Sequence, residues 1–137
     1  MLQNSSEEVL TGAARVYKMR GIRGAISVPE NTVEAICAAT EDLLLRLFEE
    51  NELEQDDIGS IFFTTTRDLD AAFPAMAARK LGLTDVALMC AHEMEVPGAM
   101  PMILRVMLNV NTTRKAAELS HIYLGDAVGL RPDKARS

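Results

Sequence analysis

The stretch MILRVMLNV, Met102 to Val110, sets a single arginine in a largely apolar run, and its reading as helix or strand decides the fold. Nine residues bounded by PGAMP and NTT are short for a buried helix and ordinary for a strand. As a strand the run places Ile103, Arg105 and Met107 on one face. The Arg105 guanidinium keeps its charge in any protein environment, and burying it unpaired costs several kcal/mol or more. It therefore leaves the fold or meets an anion, and a strand holds it on rigid backbone.

Outward from this strand, RGIRGAISV (Arg20–Val28) alternates as a second strand, with Arg20, Ile22 and Gly24 on one face and Gly21, Arg23 and Ala25 on the other. The small neighbours Gly21 and Ala25 predict open space beside Arg23. PENTVEAICAATEDLLLRLFEENE is an amphipathic helix, because Val33, Ile36, Cys37, Thr40, Leu43, Leu44, Leu47 and Phe48 follow the i, i+3, i+4 spacing of one face. Asn31 as N-cap with Glu34 forms its expected capping box. DIGSIFFTTTRDLD reads as a buried strand to Thr66, and DVALMCAHEMEV as another. Between them AAFPAMAARKLG forms a short helix or 3₁₀ segment, with Pro74 in the first turn and Gly82 as C-cap. SHIYLGDAVGL supplies a last short strand turning at Gly125 and Asp126. Residues 1–18 are an appendage, a short helix started by Ser5 and Glu8 or a frayed tail, and residues 19–137 form the one domain.

The chain has 137 residues, 48% hydrophobic and 25% charged, which suits a single globular core. Six aromatics and no tryptophan leave Leu, Ile, Val, Ala and eight Met to fill it. Fourteen basic against 20 acidic residues give a net charge of −6, which opposes attraction to nucleic acid or an anionic membrane. Two cysteines without metal-type spacing, acids where a signal peptide needs base, and no long apolar run predict a cytoplasmic protein with reduced thiols.

Motifs for nucleophilic catalysis, dinucleotide binding and phosphate loops are absent from the sequence. A metal site from Cys90, His92 and His121 lacks recognised spacing. What recurs is arginine in confined places: Arg23, Arg79, Arg105 and Arg131. Together they point to a small molecule bearing carboxylates.

MRGIRGAISV, DLDAAFPAMAAR, MCAHEMEVPGAM, ILRVMLNV and HIYLGDAVGLRPD, taken in order and spacing, resemble the monofunctional AroH-type chorismate mutases from about Met19 to Asp133. The resemblance implies an α+β fold in which a mixed β-sheet packs against one long amphipathic helix plus short 3₁₀ segments. It further implies a homotrimer, a pseudo-α/β-barrel with active sites at its subunit interfaces. The implied reaction is the rearrangement of chorismate to prephenate without cofactor or metal. Arg105 matches the arginine that meets the breaking ether bond. Arg23 and Tyr123 match the groups that hold the enolpyruvyl carboxylate. Glu93 and Cys90 match the pair at the ring hydroxyl, although i, i+3 spacing in a regular strand separates their faces and requires a bend. Phe73, Ala75 and Arg79 match residues supplied by the neighbouring subunit, and Arg131 matches one that helps close the site. Met76 stands where the family commonly has lysine, which predicts weaker substrate capture. Two rival readings are an imine or enamine deaminase-like trimer and a non-catalytic trimer that binds a carboxylate metabolite.

Overall fold

The computed structural model describes residues 15–130. β1 (Lys18–Ser27) leads into helix α1 (Val33–Glu50), and a 3₁₀ turn at Gln55–Asp57 precedes β2 (Ile58–Thr65). Helix α2 (Ala75–Lys80), β3 (Ala87–His92) and β4 (Ile103–Thr112) follow. A 3₁₀ turn at Ala116–Glu118, β5 (Ile122–Leu124) and a 3₁₀ segment at Gly125–Leu130 complete the described chain. The strand order is β3-β2-β4-β1-β5. β4 is antiparallel to both β1 and β2, whereas β2 pairs with β3 and β1 with β5 in parallel. The sheet is therefore mixed, and Met102–Val110 falls almost wholly within its central strand.

Strand parity gives the sheet two chemically distinct faces. Ile22, Gly24 and Ile26 of β1, Leu104, Val106 and Leu108 of β4, and Ile61 and Phe63 of β2 share the face packed under α1. The helix comes close because Gly24 has no side chain: a Cβ there would lie 2.9 Å from Leu47 Cδ1 and 3.1 Å from Leu43 Cδ1. Ile36, Leu43, Leu44 and Leu47 complete the core at 1% exposure or less, as the helical spacing predicts, whereas Val33 in the first turn is exposed.

Several local expectations change. Thr32, rather than Asn31, is the N-cap of α1, its hydroxyl accepting from Ala35 N at 3.1 Å. Asn31 is engaged by tertiary structure, donating to Asp70 Oδ1 and accepting from the backbone N–H groups of Asp70 and Ala71. The expected N-terminal helix lies mostly outside the described residues; its last part is irregular at 15–17 and belongs to β1 from Lys18. DVALMCAHEMEV is not a buried strand: β3 is the sheet edge, most of its residues are exposed, and it ends at His92. Nor do methionines fill the core, which is built from Ile, Leu, Val, Ala and Phe63 while Met19, Met76, Met89 and Met94 are exposed. At α2 the C-cap is Leu81, and Gly82 follows it at φ +93°. Bonds from Gly82 N to Arg79 O and from Leu83 N to Ala78 O close the helix as a Schellman turn. Among the described residues no helix is long and apolar enough to cross a membrane.

Candidate functional site

The sheet face turned away from α1 carries the charged groups. Register places Ala91, Thr64, Arg105, Ala25 and Tyr123 in one row across all five strands, with Met89, Phe62, Met107 and Arg23 in the row beside it. Glu93 stands two residues beyond Ala91, and its N–H donates to Thr65 O at 2.9 Å, so the pleat carries its side chain to this same face. Arg23, Phe62, Thr64, Glu93, Arg105, Met107 and Tyr123 line a depression of about 240 Å³.

Arg105 resolves the alternative posed by its sequence in both ways at once. It leaves the core for the open face, where its Nε forms an ion pair with Glu93 Oε2 at 3.3 Å. Both side chains keep roughly two-fifths of their surface exposed, 40% and 38%, so the pair sits at the mouth of the depression. Tyr123 is held from behind, 2% exposed among Ala25, Ile103 and Ala127. Gly125 permits the turn that follows it: its φ is +59°, and a Cβ there would run into Ser27 Oγ, which accepts from Asp126 N.

The space predicted beside Arg23 is partly filled, because Met107 Sδ lies 3.2 Å from where a Gly21 Cβ would be. The Arg23 backbone N–H donates to His121 Nδ1 at 3.0 Å, while its side-chain Nε is buried and has no hydrogen-bond partner. Thr64 Oγ1 is buried and unpartnered as well. Both residues line the same depression. Thr64 has no counterpart among the residues singled out from the sequence, where a threonine in a β-branched run carries no signal beyond strand propensity.

A second depression, of about 380 Å³, opens on the other side of β3, lined by Phe73, Met76, Cys90, His92 and the Asp70–Ala72 loop. No bend reorients the Cys90 side chain, so its thiol and the Glu93 carboxylate belong to different depressions. Burial pushes the Cys90 thiol up, opposed by a hydrogen bond from the Ala75 backbone and by the Arg79 charge. Ala75, the first residue of α2, is 5% exposed, Phe73 is 69% exposed, and Arg79 is exposed in the last turn. Met76 Sδ meets Cys37 Sγ at 3.9 Å, so a neutral thioether occupies the position expected to weaken capture. Arg131 lies outside the described residues. Cys90, His92 and His121 do not converge: His121 bonds to β1, whereas His92 Nδ1 lies 3.3 Å from Thr65 Oγ1. Among the described residues no three His, Cys, Asp or Glu side chains are grouped to hold a metal.

Comparison with known proteins bears on this arrangement. A family profile described as Chorismate mutase type I matches residues 19–134. Chorismate mutase AroH of Thermus thermophilus is 47% identical over 116 residues, covering 84% of this chain and 95% of that protein. Chorismate mutase AroH of Bacillus subtilis is 40% identical over 116 residues, 84% of this chain and 91% of that one. The solved structure of a chorismate mutase from Clostridium thermocellum superposes with a TM-score of 0.78 at 51% identity, over 79% of this chain and 96% of that chain. With the profile spanning nearly all of the domain and the mixed sheet matched by a solved relative, this chain belongs to the chorismate mutase type I family.

Proposed function

We propose that this protein, a chorismate mutase, performs its rearrangement in the depression between Arg23, Glu93, Arg105 and Tyr123. In the conversion of chorismate to prephenate a C–O bond breaks as a C–C bond forms within one molecule. That chemistry requires neither an added nucleophile nor a cofactor. As the ether bond stretches, negative charge grows on its oxygen, and a fixed cation beside it binds the transition state more tightly than the substrate. The observation that carries the reading is the placement of Arg105, on the central strand and turned to the open face, with a carboxylate at 3.3 Å holding it there.

The neighbouring groups take complementary parts. Arg23, which lines the depression, and Tyr123, braced from behind, receive the enolpyruvyl carboxylate. Glu93 accepts from the ring hydroxyl. Binding the substrate in a compact conformer removes internal freedom and contributes through proximity. Because the Cys90 thiol lies in the other depression, any contact of Cys90 with substrate in this subunit's site comes from its backbone.

The assembly follows the same logic. Phe73 and the exposed Arg79 lie away from the first depression and complete the site when a neighbouring subunit presents them. A homotrimer also covers the open sheet face, where Phe62 is 42% exposed and Met89 61%. Exposed apolar side chains on that face support association, and the division of the matched residues between two depressions supports sites shared between subunits. Arg131 is assigned to closure of the site. Incubation of the purified protein with chorismate is expected to consume it with appearance of prephenate; no prephenate at micromolar enzyme would refute the reading.

A further inference from the structure

We infer that Thr64 is a positioning residue, whose hydroxyl accepts a hydrogen bond from the Arg105 guanidinium once substrate engages Glu93. The inference rests on the assignment of Arg105 to the ether oxygen. Three observations carry it. Thr64 and Arg105 are direct cross-strand partners on the open face. Thr64 Oγ1 is buried without a hydrogen-bond partner, although the residue lines the depression. Arg105 has five N–H donors, of which Nε is paired with Glu93 at a long 3.3 Å.

A buried hydroxyl left unpaired is costly, and so calls for an explanation. Ligand atoms cannot reach Oγ1 directly, since the hydroxyl has essentially no exposed surface. The Arg105 side chain can, because it hangs from the adjoining strand at the same level of the sheet. When the ring hydroxyl takes up the Glu93 carboxylate, Arg105 loses part of its anchor at the moment its orientation matters. Thr64 supplies a neutral replacement. A neutral acceptor fixes the guanidinium without compensating its charge, which leaves that charge available to the developing oxyanion. The β-branched side chain has few rotamers and its backbone lies inside the sheet, so the acceptor is held in advance.

The test compares the full-length wild type with Thr64→Val, which keeps the shape and removes the hydroxyl, and Thr64→Ser, which restores it. Steady-state turnover of chorismate and thermal unfolding without ligand are both read. Thr64→Val is expected to lower kcat about tenfold with KM within about twofold, the pattern of a guanidinium whose orientation counts most in the transition state. Thr64→Ser recovers most of kcat. The Tm of Thr64→Val stays level or rises, because valine replaces an unpaired hydroxyl. Unchanged kcat in Thr64→Val overturns the inference, as does a raised KM at constant kcat, which would mean direct substrate contact. A fall in Tm that serine reverses also overturns it, since the hydroxyl would then serve the fold. Wild type inert toward chorismate removes the chorismate reading and this inference together, whereas active wild type with an insensitive Thr64→Val removes this inference alone.

Discussion

A lysine at position 105 would keep the charge and lose the planar fork, which separates the two properties that the role proposed for Arg105 requires. Arg105→Lys is expected to lower kcat about a hundredfold or more, on the scale of losing one transition-state donor, with a smaller change in KM. Near-normal turnover in a chorismate assay would remove Arg105 from the reaction. Cys90 makes a different prediction, one about pH. Burial raises its thiol above the ordinary 9.0, so the folded chain retains a proton that the unfolded chain gives up. Its contribution to stability is complete below that ordinary value and is lost as pH rises through the folded one. Tm measured from neutral to alkaline pH should therefore fall less steeply in Cys90→Ala than in wild type, and parallel curves would contradict the assignment. These residues differ in how far the sequence announces them. An arginine inside MILRVMLNV stands out because a charge in an apolar strand demands a partner, whereas Thr64 looks like any β-branched strand residue until its orphaned hydroxyl is seen in place.

Elements whose pattern is set by their own residues are legible, and those set by neighbours are not. Helix α1 follows from spacing alone, and β4 from its length and flanks. The cap of α1 does not, since Asn31 and Thr32 are both competent and the choice falls to the Asp70–Ala71 loop that occupies Asn31. β3 has the apolar composition of a buried strand, but it lies at the edge, and composition cannot report which strand has a neighbour on both sides. The other end of α1 shows what such neighbour-dependent contacts contribute. Asn51 is 1% exposed; its Nδ2 donates to Leu47 O and Ser120 O, and its Oδ1 accepts from Ser120 N at 2.7 Å. Arg114 Nη1 donates to the Asn51 carbonyl at 2.8 Å, so the helix terminus, the approach to β5 and the end of β4 are tied at one residue. Asn51→Ala leaves those backbone groups without the amide, and a loss of about 2–3 kcal/mol is expected from the buried polar groups it strands. Denaturant unfolding checks this, and a loss below about 0.5 kcal/mol, the range of an ordinary surface substitution, would show that Asn51 is not a structural tie.

At the scale of the whole molecule the division of the matched residues has a consequence that no single-subunit site would share. Strand parity alone separates Cys90 from Glu93 and unites Arg23 with Ala25, so the two faces of the sheet are legible in sequence. Which face stays uncovered is not, because that depends on where α1 lands. If Arg105 acts in one depression and Arg79 reaches it from the adjoining subunit, then Arg105→Ala and Arg79→Ala damage different halves of the same site. Each variant alone forms only defective sites. In a randomly mixed trimer, a site becomes whole when an Arg79→Ala subunit supplies the Arg105 side and an Arg105→Ala neighbour supplies the Arg79 side. Equal amounts, unfolded together and refolded, should then regain about a quarter of wild-type activity, because each of the two independent choices succeeds half the time across a head-to-tail interface. Both variants refolded separately and combined without exchange provide the baseline. Recovery near that quarter, with the mass of a trimer by light scattering, is the result expected of sites shared between subunits; activity no higher than the separate variants would place the whole reaction within one chain.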